Sequence, residues 1–154
     1  ISEEGAAQAV KIYRDYYETK GQLEAHLYDG IKEILQQLSQ DPSKKIFITT
    51  SKNEPIALEM CKHLGITEYF DGIYGSTPTA FHKADVLQRA ITENQAPKDQ
   101  SVIVGDTKFD LIGGKTVGIK TIAVTWGFGK NETLLAENPD FIADTPQELR
   151  DILK

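Results

Sequence analysis

The sequence predicts an α/β fold in which helices cover both faces of a parallel sheet. Two observations carry that expectation. Short apolar, β-branched runs of strand length alternate with longer segments whose apolar residues recur every three or four positions. Turn-forming Gly, Pro, Asn and Asp residues punctuate the boundaries between them. The 154 residues fit one ordinary domain. Seventeen Lys and Arg against 23 Asp and Glu leave a net charge of −6. An acidic chain without a Lys/Arg run lacks the concentrated positive field that nucleic acid demands. Nothing approaches the roughly 18 unbroken apolar residues of a membrane span. A soluble, cytoplasmic protein with neither nucleic-acid nor membrane partners is therefore expected. The single Cys61 cannot form an internal disulfide, which agrees with a reducing compartment. The chain opens on Ile1 rather than Met, and no signal-peptide pattern follows.

The elements follow in order. Ala6, Ala9, Val10, Tyr13, Tyr16 and Tyr17 recur at helical spacing, so residues 3–20 are expected to form a helix that Gly21 ends. Residues 22–28 read as a connection. Asp29 is placed to cap a helix whose stripe is Ile31, Ile34, Leu35 and Leu38. After the polar turn 40–43, residues 45–50 form an apolar run that reads as a buried strand. Asn53 and Pro55 open the next helix and Gly65 closes it. A short strand over 70–74 and a loop over 75–81 lead to a helix over 83–93, with Val86, Leu87, Ala90 and Ile91 on one face. Residues 101–105 form a strand, 109–117 a helix closed by Gly118, and 119–125 a strand. The loop Gly127 to Gly129, a short helix over 132–137 and a strand over 141–143 follow. Thr145 and Glu148 form a capping box for the last helix.

On a parallel sheet, ligands sit at the carboxyl ends of the strands. Three strand or loop ends carry polar chemistry. Thr49, Thr50 and Ser51 offer hydroxyls before a helix whose free N–H groups and dipole favour an anion, although Thr and Ser are also ordinary helix-entry residues. Asp106 follows an apolar strand directly and Asp110 lies one helical turn on, a pairing that suits Mg²⁺. The plainer alternative makes Asp106 a cap and Asp110 a first-turn acid. Lys83 stands at the start of a helix, against the dipole, where contact with a phosphate compensates; a solvated surface lysine is the plain alternative. Together, a hydroxyl, a lysine and two carboxylates on one sheet edge are the parts of a magnesium-assisted phosphoryl-transfer site.

These residues resemble the haloacid dehalogenase superfamily. The strand ending at Thr50 is similar to its second motif and Lys83 to its third. Residues 102–110 are similar to its acidic fourth motif, Gly-Asp-x-x-x-Asp. The stretches 113–118, 121–129 and 139–144 are similar to the phosphoglycolate-phosphatase-like branch. The resemblance implies a Rossmann-like three-layer core with a parallel sheet over residues 28–154, and for residues 1–27 the closing part of a small helical cap. It implies that Thr50 and the Ser51 amide bind the phosphoryl group and that Lys83 neutralises it. Asp106 would ligate Mg²⁺, with Asp110 at the metal as the residue that orients its waters. The implied activity is a Mg²⁺-dependent phosphatase of a small phosphorylated metabolite, working through an aspartyl-phosphate.

One departure is large. The family's nucleophile lies in an Asp-x-Asp-Gly-Thr segment, and no such segment occurs here. The expectation is that the chain starts inside the cap, with the nucleophile upstream of Ile1. The core would then lack its central first strand, leaving a gap between the strands ending at Thr50 and Asp106. This piece alone would be inactive. Lys83 followed by Ala84, Asp85, Val86 and Leu87, without prolines, is closer to the 5′-nucleotidase-like members. A non-catalytic receiver-like or binding α/β module, or an inactive fragment, are the alternatives. In a receiver the acid pair precedes the hydroxyl and lysine, the reverse of the order here.

Other residues carry plainer readings. His26, His63 and His82 have no metal-ligand spacing. Cys61 shares a helix face with Leu58 and Leu64. Gly113 and Gly114 allow close helix–sheet contact, and the loop 126–129 flanks the mouth of the site with a chance of substrate contact.

Overall fold

The structure is a computed structural model that describes residues 7–10, 30–127 and 130–153. Its elements run β1 (Ala7–Val10), α1 (Ile31–Ser39), β2 (Lys45–Asn53), α2 (Glu54–Leu64), β3 (Gly72–Ser76), α3 (Lys83–Glu93), β4 (Val102–Gly105), α4 (Lys108–Val117), β5 (Lys120–Val124), α5 (Asn131–Leu135), β6 (Phe141–Ala143) and α6 (Pro146–Leu153). The strands form one six-stranded sheet in the order β3-β2-β1-β4-β5-β6. Every pairing is parallel. This is the doubly wound order, in which the connections reverse beside β1 and open a crevice at the carboxyl edge.

The two faces divide along the pleat. Ile46 and Ile48 of β2, Val102 and Val104 of β4, and Ile122 and Val124 of β5 pack with α1, α6 and Met60 and Cys61 of α2. The intervening Ile103 turns to the opposite face, against Leu87 and Ile91 of α3 and Val117 of α4. Period-two alternation in strands buried on both sides explains why both sets are apolar. Gly114 lets α4 lie flat on the sheet: a β-carbon there would come within 2.6 Å of Ile103 and 2.8 Å of Thr121. The close helix–sheet contact expected of Gly114 is thus present.

Two aspartates tie strand starts together. Asp71 Oδ2 accepts from Ile46 N at 2.8 Å, clipping β2 to the approach of β3. Asp140 Oδ2 accepts from Thr121 N at 2.8 Å and from Thr121 Oγ1 at 3.3 Å, the same device between β5 and β6. Both occupy the amino-terminal edge, away from the chemistry.

The structure corrects the expectation for the start of the chain. Residues 7–10 are a strand, not part of a helix over 3–20. They occupy the central slot that was expected to be a gap: Ala7, Gln8 and Ala9 pair with Lys45, Ile46 and Phe47, while Ala9 and Val10 pair with Ile103 and Val104. The physical reason is the backbone of β2 and β4. A slot between them would leave two rows of unpaired N–H and C=O groups, each costing about 1–3 kcal/mol when buried. That demand overrides the weak helical spacing of a few small residues. The rest of the expected first helix, the connection 22–28 and Asp29 lie outside the described residues. The cap position of α1 is Gly30, in the left-handed conformation (φ 88°).

Elsewhere the boundaries move by a few residues. The strand expected over 70–74 is Gly72–Ser76, and the short helix expected over 132–137 is Asn131–Leu135. Gly65 and Gly118 close α2 and α4 in the left-handed conformation, as the sequence indicated. Thr145 Oγ1 accepts from Glu148 N at 3.1 Å, the first half of the expected capping box, while Glu148 Oε2 accepts from Asp144 N at 2.8 Å, one residue before the cap.

Asp140→Ala strips two hydrogen bonds from Thr121, whose side chain is fully buried. We expect a loss of about 1–3 kcal/mol in urea unfolding with the midpoint, not the slope, changed. A midpoint equal to that of the unsubstituted protein would show that the clip contributes nothing.

Candidate active site

The carboxyl edge of the sheet gathers the residues singled out from the sequence. Late in β2 stand Thr49 and Thr50, both fully buried, followed by the exposed Ser51; the strand runs on to Asn53, past the end expected at Thr50. Thr50 Oγ1 accepts from Lys52 N at 3.2 Å, which holds the hydroxyl at the turn into α2. The helix dipole and first-turn amides of α2 begin two residues later.

Lys83 opens α3. Its Nζ donates to the Thr49 carbonyl at 2.9 Å and pairs with Asp110 Oδ1 at 2.7 Å. The lysine therefore bridges the end of β2 and the first turn of α4. Its stem is seated on Gly113, where a β-carbon would stand 3.0 Å from Lys83 Cγ. So Gly113 serves the lysine, whereas its neighbour Gly114 serves the sheet.

Asp110 is fully buried, and both of its oxygens have protein partners. Oδ1 takes Lys83. Oδ2 accepts from Asp106 N and Thr107 N at 3.2 Å each and from Thr107 Oγ1 at 3.1 Å. Thr107 is the cap residue of α4, and Thr107 and Asp110 form a capping box. The plainer alternative weighed from the sequence made Asp106 the cap, whereas the structure puts Thr107 there. Asp106 is instead the last residue before the cap, 5% exposed, at the end of β4. Gly105 makes room for this arrangement, because a β-carbon there would fall 2.7 Å from Asp110 Cγ.

The structure thus joins Thr49, Lys83, Asp110, Thr107 and the Asp106 backbone in one connected network, with Thr50 next in sequence to the lysine's carbonyl partner. Among the described residues, no group of three or more His, Cys, Asp and Glu side chains is placed to hold a metal. Mg²⁺ does not require such a cage, since it keeps waters and takes one or two carboxylates together with substrate phosphate. Asp106 meets that requirement. Asp110, with both oxygens engaged by the protein, fits the role of holding Lys83 and the Asp106 backbone.

Residues set aside on sequence grounds fall away from this edge or stay silent in it. His63 is exposed on α2, and His82 is exposed with its ring centroid 4.5 Å from that of Phe81. His26 lies outside the described residues. Cys61 is fully buried, and burial pushes its thiol up to about 12, so it is no nucleophile. A cavity of about 450 Å³ lies between α1 and α6, lined by Gly30, Glu33, Ile34, Thr145, Pro146, Gln147 and Arg150. None of the charged network lines it.

Comparison with known proteins then decides the family. The model of the haloacid dehalogenase-like hydrolase family matches residues 1–124. The chain belongs to that family. It is 29% identical over 155 residues to a phosphoglycolate phosphatase of Vibrio vulnificus, covering 99% of this chain and 68% of that protein. It is also 29% identical over 156 residues to a 5′-nucleotidase of Pseudomonas aeruginosa, covering 100% of this chain and 70% of that protein. A haloacid dehalogenase-like hydrolase from Streptococcus pneumoniae superposes with a TM-score of 0.84 at 45% identity, over 90% of this chain and 65% of that one. The chain thus spans about two thirds of the length of these relatives. The family assignment excludes the receiver-like alternative.

The Lys83–Asp110 pair should be strongly coupled, because its side chains are only 9% and 1% exposed. Removing either partner strands a buried charge, and we expect Asp110→Asn and Lys83→Met each to cost about 3–5 kcal/mol in chemical denaturation. The double variant should cost clearly less than the sum. Additive losses would mean that the two charges do not stabilise each other.

Proposed function

We propose that this chain is the phosphate-handling core of a Mg²⁺-dependent phosphomonoester hydrolase acting on a small phosphorylated metabolite through an aspartyl-phosphate. The observation that carries the proposal is the buried Lys83 bound between Thr49 O and Asp110, beside Thr50 and Asp106 at one sheet edge. A cation desolvated this far and aimed at a hydroxyl-bearing strand end is a costly way to build structure alone. It is an effective way to neutralise a transferring phosphoryl group.

In this reading the Thr50 hydroxyl and the Ser51 N–H donate to phosphoryl oxygens, and Lys83 balances their charge. Asp110 keeps the ammonium in place and orders the Asp106 backbone through its Oδ2 contacts. Asp106 would hold Mg²⁺, which when bound supplies further charge neutralisation at the phosphate. The family's aspartyl nucleophile has no Asp-x-Asp-Gly-Thr counterpart among residues 1–154, so its position belongs to the proposal rather than to these residues. Residues 1–27, apart from the strand 7–10, are proposed to contribute to the cap, and the core to run from residue 28. The relatives' names support small phosphorylated substrates, phosphoglycolate and nucleotides among them. No helix among the described residues is long and apolar enough to cross a membrane. A single buried thiol agrees with a cytoplasmic setting.

The test uses the intact protein with a panel of phosphate monoesters. Asp106→Asn should lower Mg²⁺-stimulated phosphate release by on the order of 10²–10³-fold while leaving the circular dichroism spectrum unchanged. Chelation with EDTA should abolish turnover, and added Mg²⁺ should restore it. Turnover that survives both the chelator and the substitution would remove Asp106 from the chemistry.

A further inference from the structure

The three charged side chains of the site are each seated against a glycine: Asp110 on Gly105, Lys83 on Gly113 and Asp106 on Gly127. Gly105 lies just before the helix that carries Asp110, and Gly113 lies in α4, packed against the α3 that carries Lys83. Gly127 is different. It lies in the loop after β5, and its backbone closes over a carboxylate that leaves a different strand. A β-carbon at Gly127 would fall 2.2 Å from Asp106 Cβ, 2.6 Å from its Oδ2 and 2.8 Å from its Cγ. Among the described residues the glycines with positive φ are Gly30, Gly65 and Gly118, and Gly127 is not one of them. Backbone conformation therefore gives no reason for glycine here. Space does: the missing side chain is the volume that Asp106 occupies.

From this packing we infer that Gly127 is a positioning residue that sets where the Asp106 side chain stands and so its aim as a metal ligand. The inference rests on the assignment of Asp106 as the Mg²⁺ ligand. The loop is itself anchored. Trp126, next to Gly127, packs against the core cluster that includes Val104, Val124 and Leu149. Thr125 is tied to β6 through Thr125 N to Ala143 O at 3.1 Å and Thr125 Oγ1 to Asp144 Oδ1 at 2.8 Å. The peptide at Gly127 therefore presents Asp106 with a wall held from two directions. Interiors respond to such contacts as packed solids, so one added methyl must move either the wall or the carboxylate. The atom nearest the added methyl is Asp106 Cβ, which no side-chain rotation moves, so the end of β4 or the loop must shift and the carboxylate shifts with it.

Mn²⁺, an oxygen-seeking stand-in for Mg²⁺, allows the test without turnover. Its binding to the intact protein is followed by electron paramagnetic resonance for the unsubstituted protein, Asp106→Asn, Gly127→Ala and Gly65→Ala. Gly65 has open space around its missing side chain but a φ of +71°, so its substitution strains the fold far from the site. We expect Asp106→Asn to abolish specific binding and Gly127→Ala to weaken it by about 10–100-fold. Gly65→Ala should keep full affinity while lowering the melting temperature. Equal binding by the unsubstituted protein and Asp106→Asn would overturn the metal assignment and this inference with it. Intact affinity in Gly127→Ala, with Asp106→Asn inactive in binding, would overturn the inference alone. Should Gly127→Ala fold poorly, the same contact is read from stability: its destabilisation must shrink when Asp106 is changed to Gly. An unchanged loss in that background would equally overturn it.

Discussion

The carboxyl edge of this sheet depends on one buried ion pair. Lys83 and Asp110 come from helices that start beside each other, α3 and α4, and their contact at 2.7 Å decides where both helices begin relative to the strands. The lysine also donates to Thr49 O, so β2 joins the same arrangement. Asp110 accepts from Asp106 N and Thr107, so β4 joins as well. Four elements from both sides of the central strand are registered through two side chains.

Such a pair is a poor choice for stability. Desolvating an ammonium and a carboxylate offsets most of their attraction, and well-packed apolar residues would serve a core at least as well. The pair persists with its remaining capacity spent on backbone groups: a carbonyl on one side, two amides and a cap hydroxyl on the other. Full satisfaction of this kind makes a polar network rigid rather than merely tolerable. Rigidity is what phosphoryl transfer asks of a protein, since charge must be in place before it develops on the substrate. The glycines at 105, 113 and 127 follow from the same demand, because each lets backbone approach one of the charged groups more closely than any side chain would permit.

Much of this was legible in the chain, and the reasons are specific. Val102 to Gly105 followed by Asp106 announced a buried strand with an acid at its end, because four apolar residues between turn signals leave little else. Thr50, Lys83, Asp106 and Asp110 all reach the predicted edge, since strand ends and helix starts are fixed by local signals. What the sequence did not reveal depended on contacts distant along the chain. The partner of Asp110 could not be read from spacing, because Lys83 lies 27 positions before it by the numbering of the pair. The seat of Asp106 on Gly127 joins two loops that no periodicity connects. The strand at Ala7–Val10 was hidden for another reason. Ala, Gln, Ala and Val carry no strong strand signal of their own, and their state is set by the slot between β2 and β4.

That slot separates two requirements that the family's first motif meets together. Filling it is a backbone matter: four residues with free N–H and C=O groups satisfy β2 and β4, whatever their side chains. Supplying a nucleophile is a side-chain matter, and it is tied to register. Val10 pairs with Val104, and Gly105 and Asp106 follow beyond that last pair. In sequence Val10 is followed by Lys11, Ile12 and Tyr13, none of them a carboxylate. A strand can therefore complete the sheet while the carboxylate expected opposite Asp106 is missing from the adjacent sequence. The fold depends on the first requirement and the proposed aspartyl-phosphate chemistry on the second. In the proposed function, phosphate binding through Thr50, Ser51 and Lys83 calls on the first requirement alone, so affinity for the anion and turnover are separable in that proposal.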